Sequence, residues 1–132
     1  MTPKNILVVG SVANLEEVRC EIPGCFVGDE ISQVCLDQME GGAIERICHA
    51  SRQTAAMIIF PFVGPMPSMS GPEELVVKIR SSARPVFIVV AATGLSDGAH
   101  RRYARNLLGL GVNGVEKTPR AALLRVSELV RL

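Results

Sequence analysis

Three short runs of consecutive apolar residues, and a fourth, shorter one that Asn113 and Gly114 interrupt, punctuate the chain. Between them, apolar positions recur every three or four residues. The runs are Ile6-Leu7-Val8-Val9, which ends at Gly10; Ala56 through Phe60; Val86 through Val90, after Pro85; and Val112 through Val115, after Gly111. A strand buried on both faces needs apolar side chains on both sides of its pleat, so unbroken runs of this length predict central parallel strands. The intervening pattern is helical. Ile44, Ile47 and Cys48 share a face within residues 43–52, and Leu75, Val76 and Ile79 share one within 73–80. Ala99, Tyr103, Leu107 and Leu110 recur at helical spacing, as do Leu123, Val126 and Val130.

Punctuation supports these assignments. Ser70-Gly71-Pro72-Glu73 reads as a capping box, Ser96 with Asp97 as a second helix start, and Thr118-Pro119 as a cap residue before a proline at the first helical position. Leu15, Val18 and Ile22 suit a helix that Pro23-Gly24 should end. A strand must follow, either near Cys25–Val27 or near Ile31–Leu36. The second placement is favoured because Gly41-Gly42 then turns the chain into the next helix. Strands alternating with helices over short connections imply a parallel sheet with right-handed crossovers and helices on both faces. Five strands in 132 residues suit a single flavodoxin-like α/β domain with a three-layer α/β/α arrangement and sheet order 2-1-3-4-5. Ligands of such sheets bind beyond the carboxyl ends of the strands, here Gly10-Ser11, Pro61-Phe62-Val63, Ala91-Ala92-Thr93 and Glu116-Lys117.

Composition agrees. Hydrophobic residues make up 48% of the chain, with no Trp, one Tyr and four Phe, so the core must be aliphatic. The longest apolar run, Ala55 to Val63, is interrupted by Pro61 and is about half the ~20 residues a membrane-spanning helix needs. The first residues run straight into the first strand, which a signal peptide would not do, so a cytoplasmic domain is expected. Cys20, Cys25, Cys35 and Cys48 form no C-x-x-C pair, and there are only two histidines, so no metal site and no cofactor are expected. The net charge of +1 conceals a division. Residues 1–77 carry four basic and ten acidic side chains, and residues 78–132 carry ten basic and three acidic. Such a split suits a charged partner or association between unlike faces.

Three segments resemble the receiver domain of bacterial two-component response regulators (CheY-like). Met66-Pro67-Ser68-Met69-Ser70-Gly71 is similar to the family's M-P-x-M-x-G loop after the third strand. Pro85 through Ala91 is similar to its fourth strand, and Gly111-Val112-Asn113-Gly114-Val115-Glu116-Lys117 to its fifth strand and lysine. The likeness covers the first strand and the chain from about Ile31 onward. It implies a phosphorylation site with four parts. An acidic pair after the first strand binds Mg²⁺, an aspartate after the third takes the phosphoryl group, a hydroxyl ends the fourth, and a lysine ends the fifth. A hard divalent ion wants clustered carboxylate oxygens, and a transferred phosphoryl group wants that ion plus a cation.

Most of these parts are missing. The acidic-pair position reads Val9-Gly10-Ser11, and counting back from Met66-Pro67 puts Val63 at the phosphoacceptor. No Asp or Glu lies between Glu45 and Glu73, so no shift of alignment restores one. The hydroxyl position counts to Val90, with Thr93 three residues later, and only Lys117 is retained. Gly10, Ser11, Val63, Val90, Thr93 and Lys117 are therefore the remnants of the pocket. The proline that follows the family's lysine is displaced by one, giving Lys117-Thr118-Pro119.

Other chemistries fit poorly. His49 and His100 lie on helices away from strand ends, which speaks against a Ser-His-Asp hydrolase. Gly10-Ser11-Val12-Ala13-Asn14 is neither a P-loop nor a dinucleotide fingerprint. In receivers the fourth helix, fifth strand and fifth helix form the output and dimerisation face, and Arg101, Arg102, Arg105, Lys117, Arg120 and Arg125 would populate it here. Nucleic-acid binding by this domain alone is not expected, because no recognition motif accompanies the charge and aromatic residues are scarce. The expected function is a non-enzymatic, phosphorylation-independent receiver that acts in signalling through a protein partner, with a homodimer as the expected assembly. The alternative is a small-ligand-responsive domain of the same fold, with its ligand in the former phosphorylation pocket.

Overall fold

Val8 and Val9 are adjacent in the chain but face opposite sides of a buried sheet. The computed structural model describes residues 5–21, 30–35, 43–62, 71–82 and 85–130. The chain runs β1 (Asn5–Gly10), α1 (Val12–Glu21), β2 (Glu30–Cys35), α2 (Ala43–Ala50), β3 (Ala56–Ile59), α3 (Gly71–Ser81), β4 (Phe87–Ala91), α4 (Asp97–Leu110), β5 (Gly114–Glu116) and α5 (Pro119–Val130). All strand pairs are parallel, in the order β2-β1-β3-β4-β5.

The pleat divides the apolar runs into two cores. Ile6, Val8, Ala56, Ile58 and Val89 face α1 and α5, where they meet Leu15, Val18, Ala122, Leu123 and Val126. Leu7, Val9, Met57, Ile59, Ile88 and Val90 face α2, α3 and α4, where they meet Ile44, Ile47, Leu75, Val76, Ile79 and Leu107. Continuous runs without polar alternation are what this two-sided burial requires. In register, Val9 lies between Val34 and Ile59, Ile59 opposes Val90, and Val90 opposes Val115. That register brings the carboxyl ends of the strands together at one edge of the layers.

The structure corrects several boundaries. The fifth strand is Gly114–Glu116 rather than 112–115. Asn113 takes over the pairing just before it: its backbone N–H donates to the Ile88 carbonyl at 2.7 Å, and its side-chain Oδ1 accepts from the Ile88 N–H at 2.8 Å. Arg80 locks the same corner, donating to the carbonyls of Val86 and Gly111 and to Asn113 Oδ1. The helix expected over 43–52 ends at Ala50 and tightens into a 3₁₀ turn over Ser51–Gln53, where the Ser51 hydroxyl donates to the Cys48 carbonyl. The helix expected over 73–80 starts earlier, at Gly71. The second strand lies within a residue of the favoured placement, while Pro23-Gly24, Gly41-Gly42 and the capping residue Ser70 lie outside the described residues. The caps at Ser96 and Thr118 form: their hydroxyl oxygens accept from the N–H groups of Ala99 and Ala121.

Candidate functional site at the carboxyl ends of the strands

Gly10 closes β1, and Phe60 follows β3 one step beyond the Val9–Ile59 pair, with its N–H donating to the Val9 carbonyl. Both positions face the α1 and α5 layer. Phe60 is fully buried there. A Cβ built on Gly10 would meet Asn14 Cβ at 2.8 Å and Phe60 Cδ2 at 3.1 Å. The first of these is closer than real Cβ atoms approach a neighbour, so the space a side chain would use at this acidic-pair position is already filled.

Ser11 stands at the start of α1 and is committed to it. Its backbone N–H and its hydroxyl both donate to Asn14 Oδ1, at 3.1 and 2.9 Å, and the Asn14 N–H donates back to Ser11 Oγ at 3.2 Å. This is a capping box with asparagine at the third helical position. It satisfies the polar atoms of this strand end within the helix that follows.

After β3 the chain passes Pro61 to Phe62. The Phe62 carbonyl accepts from the Gly71 N–H at 2.9 Å. A Cβ on Gly71 would fall 2.4 Å from the Phe62 ring and 2.6 Å from that carbonyl oxygen, so only glycine fits at the start of α3. Val63 lies outside the described residues. Val90 is fully buried on the opposite face of the sheet from Phe60, and β4 continues through Ala91. Thr93 is half-buried just past β4, where its N–H donates to the Ala91 carbonyl and Gly94 takes a positive φ of 80°.

Lys117 follows β5, held there by the Ala92 N–H donating to the Glu116 carbonyl. Its ammonium pairs with the Asp97 carboxylate in the first turn of α4. Hydrogen bond and charge together hold the Asp97 carboxyl below the usual carboxylate range, with His100 adding to the effect. The helix start also favours an acid at that position. The structure thus brings Gly10 together with Phe60 and Asn14, ties Ser11 to Asn14, and pairs Lys117 with Asp97. Asn14 and Asp97 appear in the sequence only as part of a loop and a helix start. Phe60 appears only as the end of an apolar run. Its place beside Gly10 follows from the register of β1 against β3, one step beyond the Val9–Ile59 pair, which the apolar pattern does not record.

The six cations of the presumed interaction face are all exposed, and they divide into two sets. Lys117 pairs with Asp97, Arg125 with Glu116 at 3.0 Å, and Arg120 with Glu21 of α1 at 4.0 Å. Arg125 also lies across Gly114, its Cγ 3.3 Å from where a Cβ would stand. Arg101, Arg102 and Arg105 of α4 form no salt bridge among the described residues. Among the described residues, no three His, Cys, Asp or Glu side chains gather into a possible metal site, and no helix is long and apolar enough to cross a membrane.

The sequence matches no protein-family model and no curated protein. Solved structures do share its fold. The BeF3-activated receiver domain of DrrB superposes with a TM-score of 0.69 at 14% identity, covering 99% of this chain and 100% of that one. The chemotaxis protein CheY4 of Vibrio cholerae gives 0.65 at 16% identity, covering 98% of both chains. NtrX of Brucella abortus gives 0.67 at 15% identity, covering 98% of this chain and 28% of that one. The five-stranded parallel sheet in the order 2-1-3-4-5, with its five helices, is the CheY-like flavodoxin fold of response-regulator receiver domains.

Proposed function

We propose that this chain is a receiver-like signalling domain that works without phosphorylation, as a cytoplasmic, non-enzymatic protein-interaction module that needs no cofactor. The observation that carries this reading is the crowding at Gly10. The place where a Mg²⁺-binding carboxylate would stand holds the Phe60 ring and Asn14 instead. The remaining parts of the site point the same way. Ser11 caps a helix, Val90 is core, and Lys117 neutralises Asp97 rather than awaiting a phosphoryl oxygen.

With the trigger gone, the scaffold presents one fixed surface, and its function lies in what docks there. The side formed by α4, β5 and α5 is the docking side, and its occupant is a protein, either a second copy of this chain or another molecule. The test is thermal unfolding with and without about a millimolar Mg²⁺. A hard ion that dehydrates reluctantly gains nothing from a strand end without carboxylates, so the two midpoints should agree. A saturable rise in midpoint would count against the reading.

A further inference from the structure

Asn113-Gly114 is the one asparagine–glycine pair in the chain. The other asparagines, Asn5, Asn14 and Asn106, precede isoleucine or leucine. A glycine has no Cβ to shield its amide nitrogen, so that nitrogen can reach the side-chain carbonyl of an asparagine before it. Asparagine in this setting is chemically the least durable, because the attack converts its amide to an acid. Asn113 is exposed, while Gly114 is buried.

Both halves of the pair are restrained. Asn113 Oδ1 accepts from the Ile88 N–H at 2.8 Å and from Arg80 Nη2 at 3.0 Å, and the Asn113 N–H donates to the Ile88 carbonyl. Arg80 is itself anchored on the carbonyls of Val86 and Gly111. Gly114 opens β5 opposite Val89, and a Cβ built on it would meet Arg125 Cγ at 3.3 Å, so an arginine of α5 lies over it. Ring closure requires the side-chain amide and the Gly114 peptide to turn toward each other. It also requires the Gly114 N–H to lose its proton to a base from solvent. The hydrogen bonds oppose the first step, and the burial of Gly114 opposes the second.

We infer that Asn113 is a deamidation site that Arg80 guards, and that it becomes reactive when this corner of the fold opens. In the open form the Gly114 nitrogen gives its proton to hydroxide and attacks Asn113 Cγ, forming the new C–N bond of a succinimide. The Cγ–Nδ2 bond breaks, and Nδ2 takes a proton from water and leaves as ammonia. Water then opens the ring. Cleavage of the new bond restores the main chain with aspartate, and cleavage of the original peptide bond leaves isoaspartate. Aspartate places a carboxylate where Arg80 already donates, which suits a guanidinium. Isoaspartate adds a carbon to the main chain just before β5, which works against the Gly114–Val89 register. The corner lies at the amino ends of β4 and β5, so the inference stands apart from the reading of Gly10 and its neighbours.

The experiment incubates the full chain in mildly alkaline buffer, digests samples over time and weighs the fragment containing Asn113, which gains the mass of oxygen over NH. A synthetic peptide of residues 111–117 reports the unguarded rate. Arg80→Met removes the donors while keeping an apolar stem. Val18→Ala, in the core beneath α1, is the control for general destabilisation, with urea added to bring the two variants to equal unfolding free energy. The peptide should convert fastest and the wild type far more slowly. Arg80→Met should convert on the order of tenfold faster than the wild type, because local opening then costs less. The matched Val18→Ala should convert more slowly than Arg80→Met. Arg80→Lys, which keeps the charge without the fork, gives the same comparison where Arg80→Met does not fold. The inference is overturned if the peptide does not convert, if the wild type converts as fast as the peptide, or if the Arg80 variant is no faster than the matched Val18→Ala.

Discussion

Gly10 and Phe60 are complementary in size: a side chain on the first would begin 3.1 Å from the ring of the second. Gly10→Ala should therefore destabilise the domain by about 1–3 kcal/mol through overpacking. Phe60→Ala should cost about 3–5 kcal/mol through the cavity it leaves. The double variant should lose less than the two costs together, because the cavity relieves the 3.1 Å contact with the ring, although the 2.8 Å contact with Asn14 Cβ remains. Urea denaturation of the four proteins measures the coupling. Strict additivity would show that the two residues do not compete for the same space.

At the other end of the sheet, Asn113 Oδ1 accepts from the Ile88 N–H and from Arg80 Nη2, at 2.8 and 3.0 Å. Asn113→Ala leaves the Ile88 N–H without that acceptor and removes one anchor of Arg80. The expected loss is about 1–3 kcal/mol, read as a lower denaturation midpoint with an unchanged slope. A loss below about 0.5 kcal/mol would show that solvent replaces the side chain there.

Lys117 sets the titration of Asp97. The folded carboxyl is held below the usual aspartate range, so the pair stabilises the domain above that range, and the contribution is lost as pH falls through the folded midpoint. Both groups are exposed, so the effect on stability is small. The NMR titration of the Asp97 side chain is the sensitive readout. In Lys117→Met its midpoint should move up toward the ordinary carboxylate range. An unmoved midpoint would mean that the ion pair does not persist in solution.

Much of this was legible in the sequence because two-sided burial writes unbroken apolar runs, and Ile6 to Val9, Ala56 to Phe60 and Val86 to Val90 are such runs. The helix starts at Ser96 and Thr118 were legible for a similar reason, since a hydroxyl beside a helical pattern has a local job. The fifth strand was displaced because Asn113 pairs with β4 through its side chain, which no apolar pattern records. The missing carboxylates could be counted directly, whereas the filling of their place could not. That filling depends on the register of β1 against β3, which brings Gly10 beside Phe60 across some fifty residues of chain. The pairing of Lys117 with Asp97 is likewise a property of the fold, since it joins the residue after β5 to the first turn of α4.

The most direct test of the central claim is intact-mass measurement after incubation with acetyl phosphate and Mg²⁺, with a phosphorylatable receiver domain treated in parallel as the positive control. The account predicts an unchanged mass for this chain while the control gains one phosphate. A one-phosphate adduct on this chain, formed at a rate comparable to the control, would contradict it.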